Sequence, residues 1–100
     1  MKRTLSISSS VVADKDQVSS DLGGEVAILD LRSSTYYGLE EVGARVWSLI
    51  QEEPRTVEEI RDVLLSEYEV EPDRCERYLF ALLQRLADEG LIEVRDGTPT

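Results

Sequence analysis

The sequence predicts an α+β domain: an N-terminal three-stranded antiparallel sheet packed on three helices in winged helix-turn-helix order. Two observations carry this prediction. Before residue 40 the chain is rich in Ser, Val, Ile, Leu and Tyr in short runs, and after it come long helix-periodic segments loaded with Glu, Arg and Leu. The C-terminal part then reads helix, helix, longer helix, Gly, short strand, which is the order of a winged unit. One hundred residues suit a single domain, with its ordered core expected over residues 5–94.

The first strand is expected at residues 5–12, where Leu5 and Ile7 alternate with Ser6 and Ser8. Residues 14–24 read as a loop closed by Gly23-Gly24. Residues 25–31 (EVAILDL) form the clearest strand. After the polar break Arg32-Ser33-Ser34, residues 35–39 (TYYGL) complete a hairpin. Alternation puts Tyr37 and Leu39 on the inner face and Tyr36 on the outer one.

The first helix is expected at residues 41–51, with Val42, Val46, Trp47, Leu49 and Ile50 on its apolar side. Gly43 near its start suits a close backbone approach, and Pro54 ends it. Thr56-x-x-Glu59 is a capping box opening the second helix, which carries Val57, Ile60, Leu64 and Tyr68 at helical spacing. Pro72 opens the third, whose stripe runs through Cys75, Tyr78, Leu79, Leu82, Leu83 and Leu86. Gly90 stops it, and residues 91–94 are a short strand.

Composition excludes several functions. Eleven Lys+Arg against 21 Asp+Glu give a net charge of −10, which argues against an autonomous nucleic-acid binder, since phosphate affinity comes from basic side chains. Residues 52–76 alone carry ten acids against three arginines. With no His, there is no imidazole base and no His metal ligand. Cys75 is alone, so it makes neither an internal disulfide nor a thiolate metal site. It is read as a small hydrophobe on the third helix. The adjacent carboxylates Glu40/Glu41, Glu52/Glu53 and Glu58/Glu59 do not converge on a helix, and no Gly-rich phosphate loop is present. The expectation is a non-enzymatic protein without catalytic residues, metal or cofactor. After Lys2-Arg3 the run LSISSS is too polar for a signal core, and no stretch approaches the roughly twenty apolar residues of a membrane span. A cytoplasmic, membrane-free location follows.

Peptide recognition asks less of a sequence. An exposed strand edge offers unpaired backbone groups that an extended peptide can complete, with neighbouring pockets selecting side chains. If residues 34–39 form such an edge, the third helix walls a groove with Tyr78, Leu79 and Leu82, and Tyr36 or Tyr37 supplies contact area with a polar handle. An unprotected edge also permits a monomer or a weak dimer. Intrinsic DNA binding by the helical half is the rival reading, and ordinary packing of the tyrosines is the bland one.

The run ILDLRSSTYYGLEEVGARVWSLI, residues 28–50, resembles the PqqD-like family, also called the RiPP recognition element. The resemblance rests on Tyr36-Tyr37-Gly38-Leu39, Gly43-Ala44 and Val46-Trp47, and LLQRLADEGLIEV, residues 82–94, resembles the family's closing helix and strand. It implies binding of the leader of a ribosomally made precursor peptide as an antiparallel strand. Ser34, Thr35, Tyr36, Tyr37 and Gly38 would make the backbone pairing, and Arg74, Cys75, Tyr78, Leu79 and Leu82 would stand on the pocket side. The long first loop and LDLRSSTYYGLEEVGARVW look most like the stand-alone element of lasso peptide biosynthesis. That likeness implies as partners a transglutaminase-like cysteine protease, acting as leader peptidase, and the cyclase, and a leader with spaced Tyr, Pro and Leu anchors. A PqqD-type chaperone for a radical enzyme is the alternative. One departure is Glu40, where the family has Asn; Glu is a poorer helix N-cap.

Overall fold

The computed structural model describes residues 5–95. It has the expected α+β architecture, built from six strands and three helices: β1 (Ser10–Ala13), β2 (Gln17–Asp21), β3 (Glu25–Asp30), β4 (Thr35–Glu40), α1 (Glu41–Glu52), β5 (Arg55–Thr56), α2 (Val57–Glu67), α3 (Pro72–Asp88) and β6 (Ile92–Arg95). The strands make two antiparallel three-stranded sheets, β2-β3-β4 and β5-β1-β6.

Strand membership of the N-terminal sheet differs from the expectation. The first strand begins at Ser10, and it pairs with β6 (Val11↔Val94) and β5 instead of with β3. Residues 6–9 instead form a turn in which the Ser9 N–H donates to the Ser6 carbonyl at 3.0 Å and Ser9 Oγ accepts from the Ser6 N–H at 3.0 Å. Serine hydroxyls that bond nearby backbone compete with a ladder. The strand beside β3 comes from the segment read as a loop: β2 pairs with β3 from Gln17↔Asp30 to Asp21↔Val26. Its sequence QVSSD hides it, because the one apolar residue, Val18, faces solvent at 54% exposure, and no apolar period remains to read. The Gly pair was the available signal. Gly23 and Gly24 have φ of +75° and +95°, and the Leu22 N–H donates to the Glu25 carbonyl at 2.7 Å. Two positive φ values in a two-residue loop make a tight hairpin turn.

Helix α1 is the centre of the molecule, packed on β1, β3, β4 and α2. Val46, Trp47 and Ile50 are buried among Val11, Ile28, Ile60, Leu64, Leu79 and Leu83. Gly43 is buried within α1, and an added Cβ would lie 3.2 Å from the Tyr78 hydroxyl, so its small size lets Tyr78 cross the start of α1. Helix α2 opens on the expected capping box: Thr56 Oγ1 accepts from the Glu59 N–H at 3.1 Å, and Glu59 Oε1 accepts from the Thr56 N–H at 2.9 Å.

The N-terminus of α1 is less well finished. Glu40 occupies the cap position and makes no side-chain cap bond. Glu41, at φ +48°, lies in the left-handed region, and its N–H donates to the Gly24 carbonyl at 3.1 Å. Glu40→Asn supplies an acceptor for the free N–H groups of the first turn, and is expected to raise the Tm by a few degrees, about 0.5–1 kcal/mol, in a calorimetric scan.

The β3–β4 turn depends on Asp30, a buried carboxylate. It accepts from the Arg32 N–H at 3.0 Å and lies 3.5 Å from the Arg32 guanidinium. The backbone bond above all, then the Ser33 side chain and the charge of Arg32, hold its pKa below the usual value against the opposing effect of burial. A lowered folded-state pKa means that the stabilisation is fully present above the ordinary carboxylate range near pH 4 and is lost as pH falls through the lowered value. Asp30→Asn is therefore expected to destabilise at pH 7 and to flatten the acid limb of the stability–pH curve below pH 4, read by urea melts across pH 2–7.

Candidate functional site

Strand β4 is a sheet edge: among the described residues no strand pairs with its outer side. Its register on β3 runs from Asp30↔Thr35 to Glu25↔Glu40. Antiparallel ladders alternate bonded and non-bonded pairs, and the Glu41 N–H bond to Gly24 sets the phase. Thr35, Tyr37 and Leu39 spend their backbone groups on β3, while Tyr36, Gly38 and Glu40 turn theirs to the free side. The side chains follow the expected parity: Tyr37 and Leu39 are half-buried and Tyr36 is 73% exposed.

Two contacts hold this hairpin against the end of α3. The Tyr37 hydroxyl donates to Glu89 Oε2 at 2.7 Å, and the Arg32 guanidinium donates to the Gly90 carbonyl. The bond to Glu89 is the main cause of a raised Tyr37 pKa, so the phenol keeps its proton and remains a donor. A guanidinium at the C-terminal end of a helix is also favoured by the helix dipole.

Between β4 and α3 lies a cleft of about 170 Å³, lined by Tyr36, Tyr37, Gly38 and Leu39 on the strand and by Leu82, Arg85, Leu86 and Glu89 on the helix. A larger, almost wholly apolar pocket of about 340 Å³ lies at the start of α3, lined by Val42, Leu64, Tyr68, Val70, Arg74, Cys75 and Tyr78. Burial pushes up the pKa of the Cys75 thiol and of the Tyr78 hydroxyl. A neutral, buried thiol is a lining atom here, unsuited to act as a nucleophile.

The structure brings the expected residues together in two groups. Tyr36, Tyr37, Gly38 and Leu82 meet at the cleft, and Arg74, Cys75 and Tyr78 meet at the apolar pocket. Ser34 and Thr35 are exposed at the start of the edge, with Ser34 at φ +55° and its N–H bonded to the Asp30 carbonyl at 2.8 Å. Leu79 has no exposed surface and belongs to the core beneath the groove. Sequence reading missed Arg85, Leu86 and Glu89. Their spacing from Leu82, at i+3, i+4 and i+7, is the signal that would have found them. Val42, Leu64, Tyr68 and Val70 reach the apolar pocket from different elements, and no spacing rule joins them to α3.

The family model described as coenzyme PQQ synthesis protein D (PqqD) matches residues 25–92. The chain belongs to the PqqD family. No curated protein matches it in sequence. Among solved structures, TbiB1 in complex with the TbiA(β) leader peptide is similar at a TM-score of 0.78 and 39% identity, covering 82% of this chain and 94% of that one. Lasso peptide synthetase B1 complexed with the leader peptide is similar at a TM-score of 0.73 and 24% identity, covering 83% and 96%; at that identity it supports the fold alone. Among the described residues of this PqqD-family chain, no helix is long and apolar enough to cross a membrane, and no group of three His, Cys, Asp or Glu residues could hold a metal ion.

Tyr37→Phe deletes the hydroxyl clamp and leaves the ring in place. The expected result is faster amide exchange along β4 and the last turn of α3, with a small fall in Tm and unchanged protection in α1, measured by hydrogen-exchange NMR.

Proposed function

We propose that this protein binds the leader of a ribosomally made precursor peptide as a strand added to β4, and presents it to a separate leader peptidase in lasso peptide maturation, without catalysing a reaction itself. The observation that carries the reading is the free edge of β4, with the backbone groups of Tyr36 and Gly38 turned outward beside a cleft walled by α3. The likeness to TbiB1, whose structure holds a leader peptide, supports it. The resemblance of residues 29–47 to the stand-alone element of lasso peptide biosynthesis favours a lasso pathway over service to a radical enzyme.

An antiparallel added strand runs from the Glu40 end of β4 towards Tyr36. Its N-terminal part then lies nearer the apolar pocket, and its C-terminal part nearer Glu89. Alternate side chains of the added strand enter the groove. The cleft beside Leu82 and Leu86 suits a Leu or Pro side chain, and the wider pocket at Cys75 and Tyr78 suits a Tyr ring, with Arg74 at its rim. Ser34 and Thr35 border the far end of the pairing, while Leu79 supports the groove from below. Backbone pairing supplies affinity, and these pockets supply selectivity.

Two experiments test the reading. Isotope-edited NMR titration with the leader peptide encoded beside this gene is expected to give saturable shifts in residues 34–39 and at Tyr78 and Leu82, absent with a scrambled peptide. No binding at high micromolar leader would reject the assignment. Gly38→Pro removes an outward N–H that the β3–β4 ladder does not use, and Pro is tolerated on an edge strand. It leaves a leader carbonyl unsatisfied, a cost of about 1–3 kcal/mol. Leader affinity is expected to fall about tenfold in a fluorescence anisotropy titration while the domain still melts cooperatively.

A further inference from the structure

Arginine pairing divides the molecule. Outside α3, the described arginines Arg32, Arg45, Arg55, Arg61 and Arg95 each form an ion pair with a carboxylate of this chain. The three on α3, Arg74, Arg77 and Arg85, are exposed and make no ion pair among the described residues. Carboxylates to pair them are abundant, at 21 acids against 11 bases. The acids nearest Arg85 along the helix are engaged by other groups: Asp88 Oδ1 accepts from the Gln84 amide at 3.0 Å, and Glu89 Oε2 accepts from the Tyr37 hydroxyl at 2.7 Å. Two of these three cations line the peptide groove. Arg74 is the one charged residue lining the apolar pocket, and Arg85 lines the cleft beside β4. Arg77 lines neither.

Helix geometry makes the two groove cations a pair. Arg74 and Arg85 are eleven residues apart, about three full turns, so they project from the same side of α3 and stand about 16 Å apart along its axis. An extended strand covers that rise in about five residues. A strand added to β4 would meet one guanidinium where its N-terminal part reaches the apolar pocket, and the other where its C-terminal part fills the cleft. Arginine is suited to gripping a carboxylate through two parallel N–H bonds. The net charge of −10 acts on a peptide through screening solvent, whereas a guanidinium acts on it at contact distance, where salt screens little. We infer that Arg74 and Arg85 select an acidic leader, pairing with an Asp or Glu beside each of its two anchored side chains, about five residues apart. This rests on the leader-binding reading above and adds a charge requirement to the backbone pairing and the apolar pockets.

The test titrates the full chain with the leader peptide encoded beside this gene, following the arginine Nε–H resonances by NMR and the affinity by fluorescence anisotropy. Leader is expected to shift Arg74 and Arg85 and to leave Arg77 unmoved. Arg74→Gln and Arg85→Gln are each expected to weaken leader binding about fivefold, the upper scale of an exposed ion pair. Arg77→Gln makes the same change in net charge and is expected to stay within about twofold. Replacing the leader acid that pairs with Arg85 by its amide is expected to cost the Arg85→Gln variant nothing further, and a Lys at that leader position is expected to restore binding to Arg85→Glu. An encoded leader without Asp or Glu beside its anchors, leader shifts that leave Arg74 and Arg85 unmoved, or either glutamine variant binding as tightly as wild type would each overturn the inference. If a variant misfolds, the wild-type arginine resonances decide alone. A leader that fails to bind the wild-type chain rejects the leader reading itself, so that failure is distinguishable from binding that ignores the two arginines.

Discussion

Burial of α1 is the constraint on which the rest of the structure depends. Val46, Trp47 and Ile50 are essentially inaccessible, and the helix touches both the winged layer and the hairpin sheet. Each fully buried side chain of this size contributes about 1.5–3 kcal/mol, so the middle of α1 is a large share of what a small domain can gather. Among the described residues the Trp47 indole N–H meets no acceptor, and apolar contact alone holds the ring. The sheet that carries β4 and the helix α3 are placed relative to each other through this shared core.

A second layer of interactions sets the width of the groove. The Tyr37–Glu89 and Arg32–Gly90 contacts join the hairpin to the end of α3, at the opposite end of the groove from Gly43 and Tyr78. An open edge strand is a hazard that proteins commonly blunt with Lys, Pro or a bulge. Strand β4, TYYGLE, carries none of these along its length. An overall charge of −10 opposes pairing of this edge with a copy of itself.

The same architecture explains why winged helix-turn-helix order need not mean DNA binding. A recognition helix needs basic and amide side chains towards phosphates and bases. On α3, Arg74, Arg77 and Arg85 are interspersed with Asp73, Glu76 and Asp88. The helix instead offers Leu82 and Leu86 to the cleft beside β4 and Cys75 and Tyr78 to the apolar pocket.

The amino-acid sequence by itself determined the fold class, all three helices, the capping box, the β3–β4 hairpin and the inward parity of Tyr37. Each is written in local periodicity or in turn and cap chemistry, which act over a few residues. The strand β2 escaped because its single apolar side chain faces solvent, so its burial pattern carries no period. The exchange of partners, with β1 joining β6 and β2 joining β3, was decided by tertiary structure, since both alternatives satisfy the same alternation. So were the separation of the predicted site residues into cleft and pocket, and the burial of Leu79. On a helix with an apolar stripe this broad, spacing says which residues share a side. Only the positions of β4 and α1 decide which of them remain open to a ligand.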